Sequence, residues 1–101
     1  MMTVVTTTRL RPGGAEQWDT AMRERFDSAH SRPGWVSGQL LIAEDERSTR
    51  VIVGTWQSRE DWESWHSDPA FLEQRSTLEQ FEAEPSRTAW FDVVADARAA
   101  G

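Results

Sequence analysis

The chain has no cysteine, no lysine and no tyrosine. Without thiols there are no disulfides, no thiolate nucleophile and no Cys-ligated metal. All eleven cations are therefore arginines, and against 17 acidic residues they leave a formal charge of −6. Such a surface repels phosphate backbones, so nucleic acid is not an expected partner. No basic amphipathic helix is evident, and no run approaches the ~20 apolar residues needed to cross a bilayer, so no membrane partner is expected. "MMTVVTTTRL" lacks the basic-then-apolar order of a signal peptide, and a cytoplasmic location is the expectation. There is no Gly-x-Ser-x-Gly elbow, and "RPGG" and "RPG" read as turns rather than phosphate loops. The two histidines, His30 and His66, have no metal-ligand spacing, so no metal site is expected. His66 reads as a surface residue at a helix C-terminus.

What is present fits one domain of 101 residues, expected over 1–95 with a flexible tail over 96–101. "TVVTTTRL" (3–10) is β-branched and reads as a strand. Trp18, Met22 and Phe26 recur every four residues and predict a helix over 15–29, closed by Pro33-Gly34. Strands follow over 35–44 and 49–56, with "DERS" suggesting an antiparallel hairpin. Ser58 and Asp61 match a capping box for a short helix. Ser67 or Asp68 then caps a second helix, with Pro69 at its first position, running to about residue 81. A last strand covers 86–94. The order β-α-β-β-α-β, with its second helical stretch broken, is the α+β ferredoxin-like pattern: a four-stranded antiparallel sheet with helices on one face. Val36, Leu40 and Ile42 alternate with Trp35, Leu41 and Ala43, so neither sheet face is cleanly polar. A homodimer packed sheet on sheet is the expectation.

Trp56, Trp62 and Trp65 place half of the six tryptophans within ten residues. Either they fill core space or they wall an aromatic pocket between the helix and the sheet. Trp18 and Trp90 read as core, and Trp35 as core or dimer interface. Arg75 falls between Phe71 and Leu72 on the apolar stripe of the last helix. It either snorkels to solvent or enters the pocket to hold an anionic oxygen.

"RPGGAEQWDTAMRERF", "PGWVSGQLLIAEDERSTRVIVGTWQSREDWESWHSDPAF" and "TAWFDVV" resemble the antibiotic biosynthesis monooxygenase family over nearly the whole chain. The most specific part is Pro33-Gly34-Trp35 to Leu41, followed by Trp56-Gln57-Ser58, Trp65 and Pro69. The resemblance implies a ferredoxin-like protomer and a dimeric α/β barrel, with ligand sites between each sheet and its helices. Members similar to this chain include cofactor-independent enzymes that oxidise anthrones to quinones, haem-degrading enzymes and binding proteins. Trp56 and Arg75 match catalytic positions of the quinone-forming members, while Ile52 and Trp62 stand where those carry Asn and Tyr. Trp65 matches the residue that presses on haem in the haem-degrading members. Their axial His would fall near Gln74 or Arg75 and their Asn near Thr8, and neither is retained.

The expectation is therefore a cofactor-independent monooxygenase using O2 on a phenolic, anthrone-like polycycle in secondary metabolism, with no cofactor. Arg75 and Trp56 are its candidate catalytic residues. Trp62, Trp65, Phe71, Leu72 and Ile52 are its candidate substrate contacts. The alternatives are a non-catalytic aromatic-ligand or cyclase-like protein and, behind it, a haem-binding or haem-degrading protein.

Overall fold

The computed structural model describes residues 1–100; the last residue of the expected tail, Gly101, lies outside the described residues. The elements run β1 (Met2–Arg9), α1 (Ala15–Ala29), β2 (Trp35–Ile42), β3 (Thr49–Trp56), α2 (Arg59–His66), α3 (Pro69–Glu79) and β4 (Arg87–Asp92). The four strands form one antiparallel sheet in the order β2-β3-β1-β4, the ferredoxin-like arrangement expected. β2 is two residues and β4 three residues shorter than the pattern suggested. Glu44 and Asp45 belong to the polar turn, and Val93 adds only a single bond to the Met1 carbonyl.

Local chemistry sets the breaks. Gly34 adopts φ +83°, which L side chains avoid, and turns the chain from α1 into β2. A Cβ there would lie 2.2 Å from the Asp61 carboxylate, so the same glycine lets α2 approach. Ser58 caps α2 by accepting from the Asp61 amide at 3.2 Å, as the capping box requires. Asp68, not Ser67, caps α3 by accepting from the Ala70 amide at 2.9 Å, with Pro69 opening the helix. The Asp68 carboxylate also holds Arg32 of the α1–β2 turn at 3.2 Å.

Register sorts the strand residues into two faces. Leu40, Ile52, Thr6 and Thr88 form one cross-strand row, and Gly38, Gly54, Val4 and Trp90 the next. These face the helices. Leu41–Val51–Thr7 and Gln39–Val53–Val5–Ala89 lie on the reverse face, which no helix covers. Beneath the helices the core falls into two clusters. One joins Met2, Val4, Ala29, Trp56, Trp65 and Phe71; the other joins Leu10, Trp18, Met22 and Leu78. Arg50 of β3 is buried and clamped by both Asp19 carboxylate oxygens at 2.8 and 3.1 Å, tying α1 to the sheet.

Candidate functional site

A hollow of about 680 Å³ lies between the sheet and the helices, within the range of small-molecule sites. It draws walls from both core clusters: Val4, Trp65 and Phe71 from one, Trp18, Met22 and Leu78 from the other. Ile52 and Gly54 line the sheet side. Its exposed lining residues gather on α3, on the segment from Ala83 to Ser86 and at Trp90, so the mouth opens between α3 and the edge strand β4.

The aromatic rings are placed by spacing and by the strand bulge. Trp62 and Trp65, one turn apart on α2, both face the sheet. Trp65 meets Phe71 edge-on at 4.8 Å, and Trp62 meets Trp90 edge-on at 5.4 Å. A register irregularity between Trp35 and Ser37 turns the Trp35 ring inward over Gly38, where a Cβ would meet it at 2.4 Å. Trp90 is not the core residue expected. It is 37% exposed at the mouth, on the edge strand β4, with the Arg59 guanidinium over its ring and Trp62 against it.

Three of the sequence candidates occupy other positions. Trp56 is 1% exposed, packed between Trp35 and Trp65 behind the wall, and does not line the hollow. Leu72 is 46% exposed on the outer side of α3 and is also not part of the wall, one residue along from Phe71 being a turn of about 100°. Arg75 reaches only the rim: its Nε donates to Glu79 at 2.8 Å, and both side chains are more than half exposed. An i+4 carboxylate on its own helix holds its head group toward solvent. Ile52, Trp62, Trp65 and Phe71 line the hollow together.

The half-buried cation on the wall of the hollow is Arg25, which was not among the sequence candidates. It stands three residues after Met22 and seven after Trp18, on the same stripe of α1. Its guanidinium lies 3.5 Å over the Phe71 ring and 5.5 Å from that of Trp65, at cation–π distance. Burial first, then the Arg75 charge, lowers its pKa to about 9, with Glu82 and Glu79 opposing the shift. It remains a cation at neutral pH. His66 is likewise not the surface imidazolium expected. It lines the hollow between Trp62 at 3.9 Å and Phe71 at 4.1 Å, with Nδ1 at 2.8 Å from the Trp62 carbonyl oxygen. Burial chiefly lowers its pKa to about 4, and the Arg25 and Arg75 charges act in the same direction. The ring is therefore neutral at pH 7.

A second polar strip runs along the sheet side. Trp18 Nε1 donates to Glu82 at 3.2 Å, Ser86 Oγ donates to the same carboxylate at 3.1 Å, and Thr8 joins Ser86. Thr6 and Thr88 bond at 3.2 Å beside them. Among the described residues, no three His, Asp or Glu side chains come together as a metal site.

The chain is a two-layer α+β sandwich with an aromatic hollow under its helices. Residues 1–76 match the antibiotic biosynthesis monooxygenase model, and the chain belongs to that family. Its fold is shared with SnoaB, a cofactor-independent oxygenase from Streptomyces nogalater, at TM-score 0.83 and 19% identity over 94% of each chain. It is shared with Rv0793 from Mycobacterium tuberculosis at TM-score 0.85 and 15% identity, over 96% of this chain and 98% of that one. A Nitrosomonas europaea protein provisionally described as an antibiotic biosynthesis monooxygenase superposes at TM-score 0.87 with 17% identity, over 92% and 89%. At these identities the likeness is one of fold. No curated protein matches the chain by sequence.

Proposed function

We propose that the protein is a cofactor-independent monooxygenase that oxidises a flat, acidic, anthrone-like phenol with O2 in secondary metabolism. The observation that carries this reading is the hollow itself: about 680 Å³ walled by aromatic rings, with the Arg25 guanidinium 3.5 Å over the Phe71 ring. An anthrone methylene is acidic because its carbanion delocalises through the fused rings onto the carbonyl across the central ring. Loss of one proton gives an enolate, which passes one electron to O2; the resulting pair collapses to a C–O bond and, with a proton, a hydroperoxide. Loss of the second C–H proton and cleavage of the O–O bond leave a carbonyl and water. The balance is one CH2 and one O2 to one C=O and one H2O, and the substrate supplies every electron.

In this scheme Arg25 donates to the enolate oxygen from the wall of the hollow and stabilises its charge. Trp62, Trp65 and Phe71 stack on the rings and exclude water. Arg75 meets the ligand at the mouth, and Trp56 holds Trp65 from behind. Two such protomers pack as a homodimer through the uncovered sheet face, in the cytoplasm. The test is oxygen uptake with 1,8-dihydroxyanthrone. A rate above the spontaneous one, and a quinone product, are expected; uptake at the background rate removes the reading.

A second reading draws on Ile52 and Trp62, which stand where the quinone-forming members carry Asn and Tyr. In it the same hollow binds an aromatic ligand and releases it unchanged. Quenching of tryptophan fluorescence without any product is its signature.

A further inference from the structure

Two half-buried polar groups on the wall of the hollow keep hydrogen-bonding positions that no protein group fills among the described residues. Arg25 makes no hydrogen bond and no ion pair among the described residues, and its half-buried guanidinium leaves its N–H donors open to a ligand in the hollow. The carboxylates nearest in charge, Glu79 and Glu82, are engaged elsewhere, with Arg75 and with Trp18 and Ser86. His66 is the complement. A carbonyl oxygen can only accept, so the Nδ1 contact to Trp62 puts the ring proton on Nδ1. Nε2 is then a lone pair pointing away from the helix backbone, and it has no protein partner among the described residues. Both groups lie against the same ring, Arg25 at 3.5 Å and His66 at 4.1 Å from the Phe71 centroid.

We propose that Arg25 and His66 form a donor–acceptor subsite selecting a planar hydroxyaromatic monoanion, with an ionised oxygen beside an un-ionised hydroxyl. Arg25 donates to the anionic oxygen, and His66 Nε2 accepts from the hydroxyl. Two ionised oxygens are disfavoured twice over: one would face the imidazole lone pair, and the dianion would meet Glu79 and Glu82 on the wall. A phosphate or sulfate fails for the same reasons and leaves the rings unused. This rests on the hollow being a ligand site, as under the proposed function, but not on any reaction with oxygen.

The test is an anaerobic titration with alizarin, whose monoanion has this pattern, beside 2-hydroxyanthraquinone, which lacks the second hydroxyl. Tryptophan quenching reports occupancy and the visible phenolate band reports ionisation. The native chain is expected to bind alizarin as its monoanion. Arg25→Met, which keeps most of the apolar stem, is expected to weaken both dyes about 10-fold or more, and Arg25→Lys to recover part of that. His66→Phe is expected to weaken alizarin several-fold and leave 2-hydroxyanthraquinone within about 2-fold. Near-ultraviolet circular dichroism checks that each variant keeps its tryptophan packing; if Arg25→Met does not, Arg25→Lys and the His66 pair of dyes decide. Native affinity in the arginine variants, or equal losses of both dyes in His66→Phe, overturns the subsite. Failure of the native chain to bind either dye overturns the subsite and the ligand hollow together. Binding that depends on Arg25 and His66 with no oxygen uptake in air sinks only the monooxygenase reading.

Discussion

Whether an arginine is enclosed depends on what its own helix offers it. Arg75 has Glu79 four residues on, and the pair forms in solvent, where it contributes little. Arg25 has Ala21 and Ala29 at those positions, so no carboxylate on α1 draws it outward. Its face toward Phe71 and Trp65 is the remaining option. His66 is decided similarly: the Trp62 carbonyl one turn back and the Phe71 ring hold it inward as the neutral base. That neutrality has a pH signature. With the folded-state pKa at about 4 against 6.5 unfolded, the unfolded chain takes up the proton first as pH falls. The histidine therefore costs no stability above about pH 6.5, destabilises increasingly below it, and reaches its full effect near pH 4. Arg25 and Arg75, the charges that face it, reinforce the trend. Urea midpoints measured from pH 7 to 5 are expected to fall less steeply for His66→Gln than for the native chain; parallel slopes would contradict the buried neutral ring.

Among the elements, the break between α2 and α3 matters most for the site. Had one helix run through, Trp62, Trp65 and Phe71 could not converge, since one straight stripe cannot enclose a hollow. Asp68 makes the break twice over, capping α3 and holding Arg32. Asp68→Ala removes both bonds and is expected to cost about 1–2 kcal/mol. Asp68→Asn keeps the cap but not the charge, so it should recover most of that loss in urea denaturation. Equal losses in the two variants would place the stability in the ion pair instead.

At the scale of the whole molecule, a one-sided helical layer leaves a sheet face bearing Val5, Val51, Val53, Leu41 and Phe91, the last two 43% and 54% exposed. A wet antiparallel face favours polar residues, and this one mixes Thr3, Thr7 and Gln39 with large exposed apolar side chains. The proposed homodimer covers it. Sedimentation is expected to give twice the protomer mass at micromolar concentration. Val53→Asp, at the centre of the face, is expected to shift the chain to monomer while the hollow, on the opposite face, keeps its ligand. A native monomer would remove the dimer, and loss of the ligand in the Val53→Asp monomer would show the two faces to be coupled.

The amino-acid order alone determined what is local: strand alternation, the four-residue stripe of α1, the Ser58 cap, a helix start at Ser67 or Asp68 before Pro69 and the Pro33-Gly34 turn, because each is written within a few bonds of backbone. It also carried the tryptophan cluster, since Trp62 and Trp65 share a helical face whatever surrounds them. Only the tertiary structure decided which ring walls the hollow and which backs it, which histidine nitrogen is free, and which arginine lies over the Phe71 ring. Those outcomes depend on strands brought alongside from 50 residues away and on competition for long, flexible side chains, and no spacing along one chain expresses that competition.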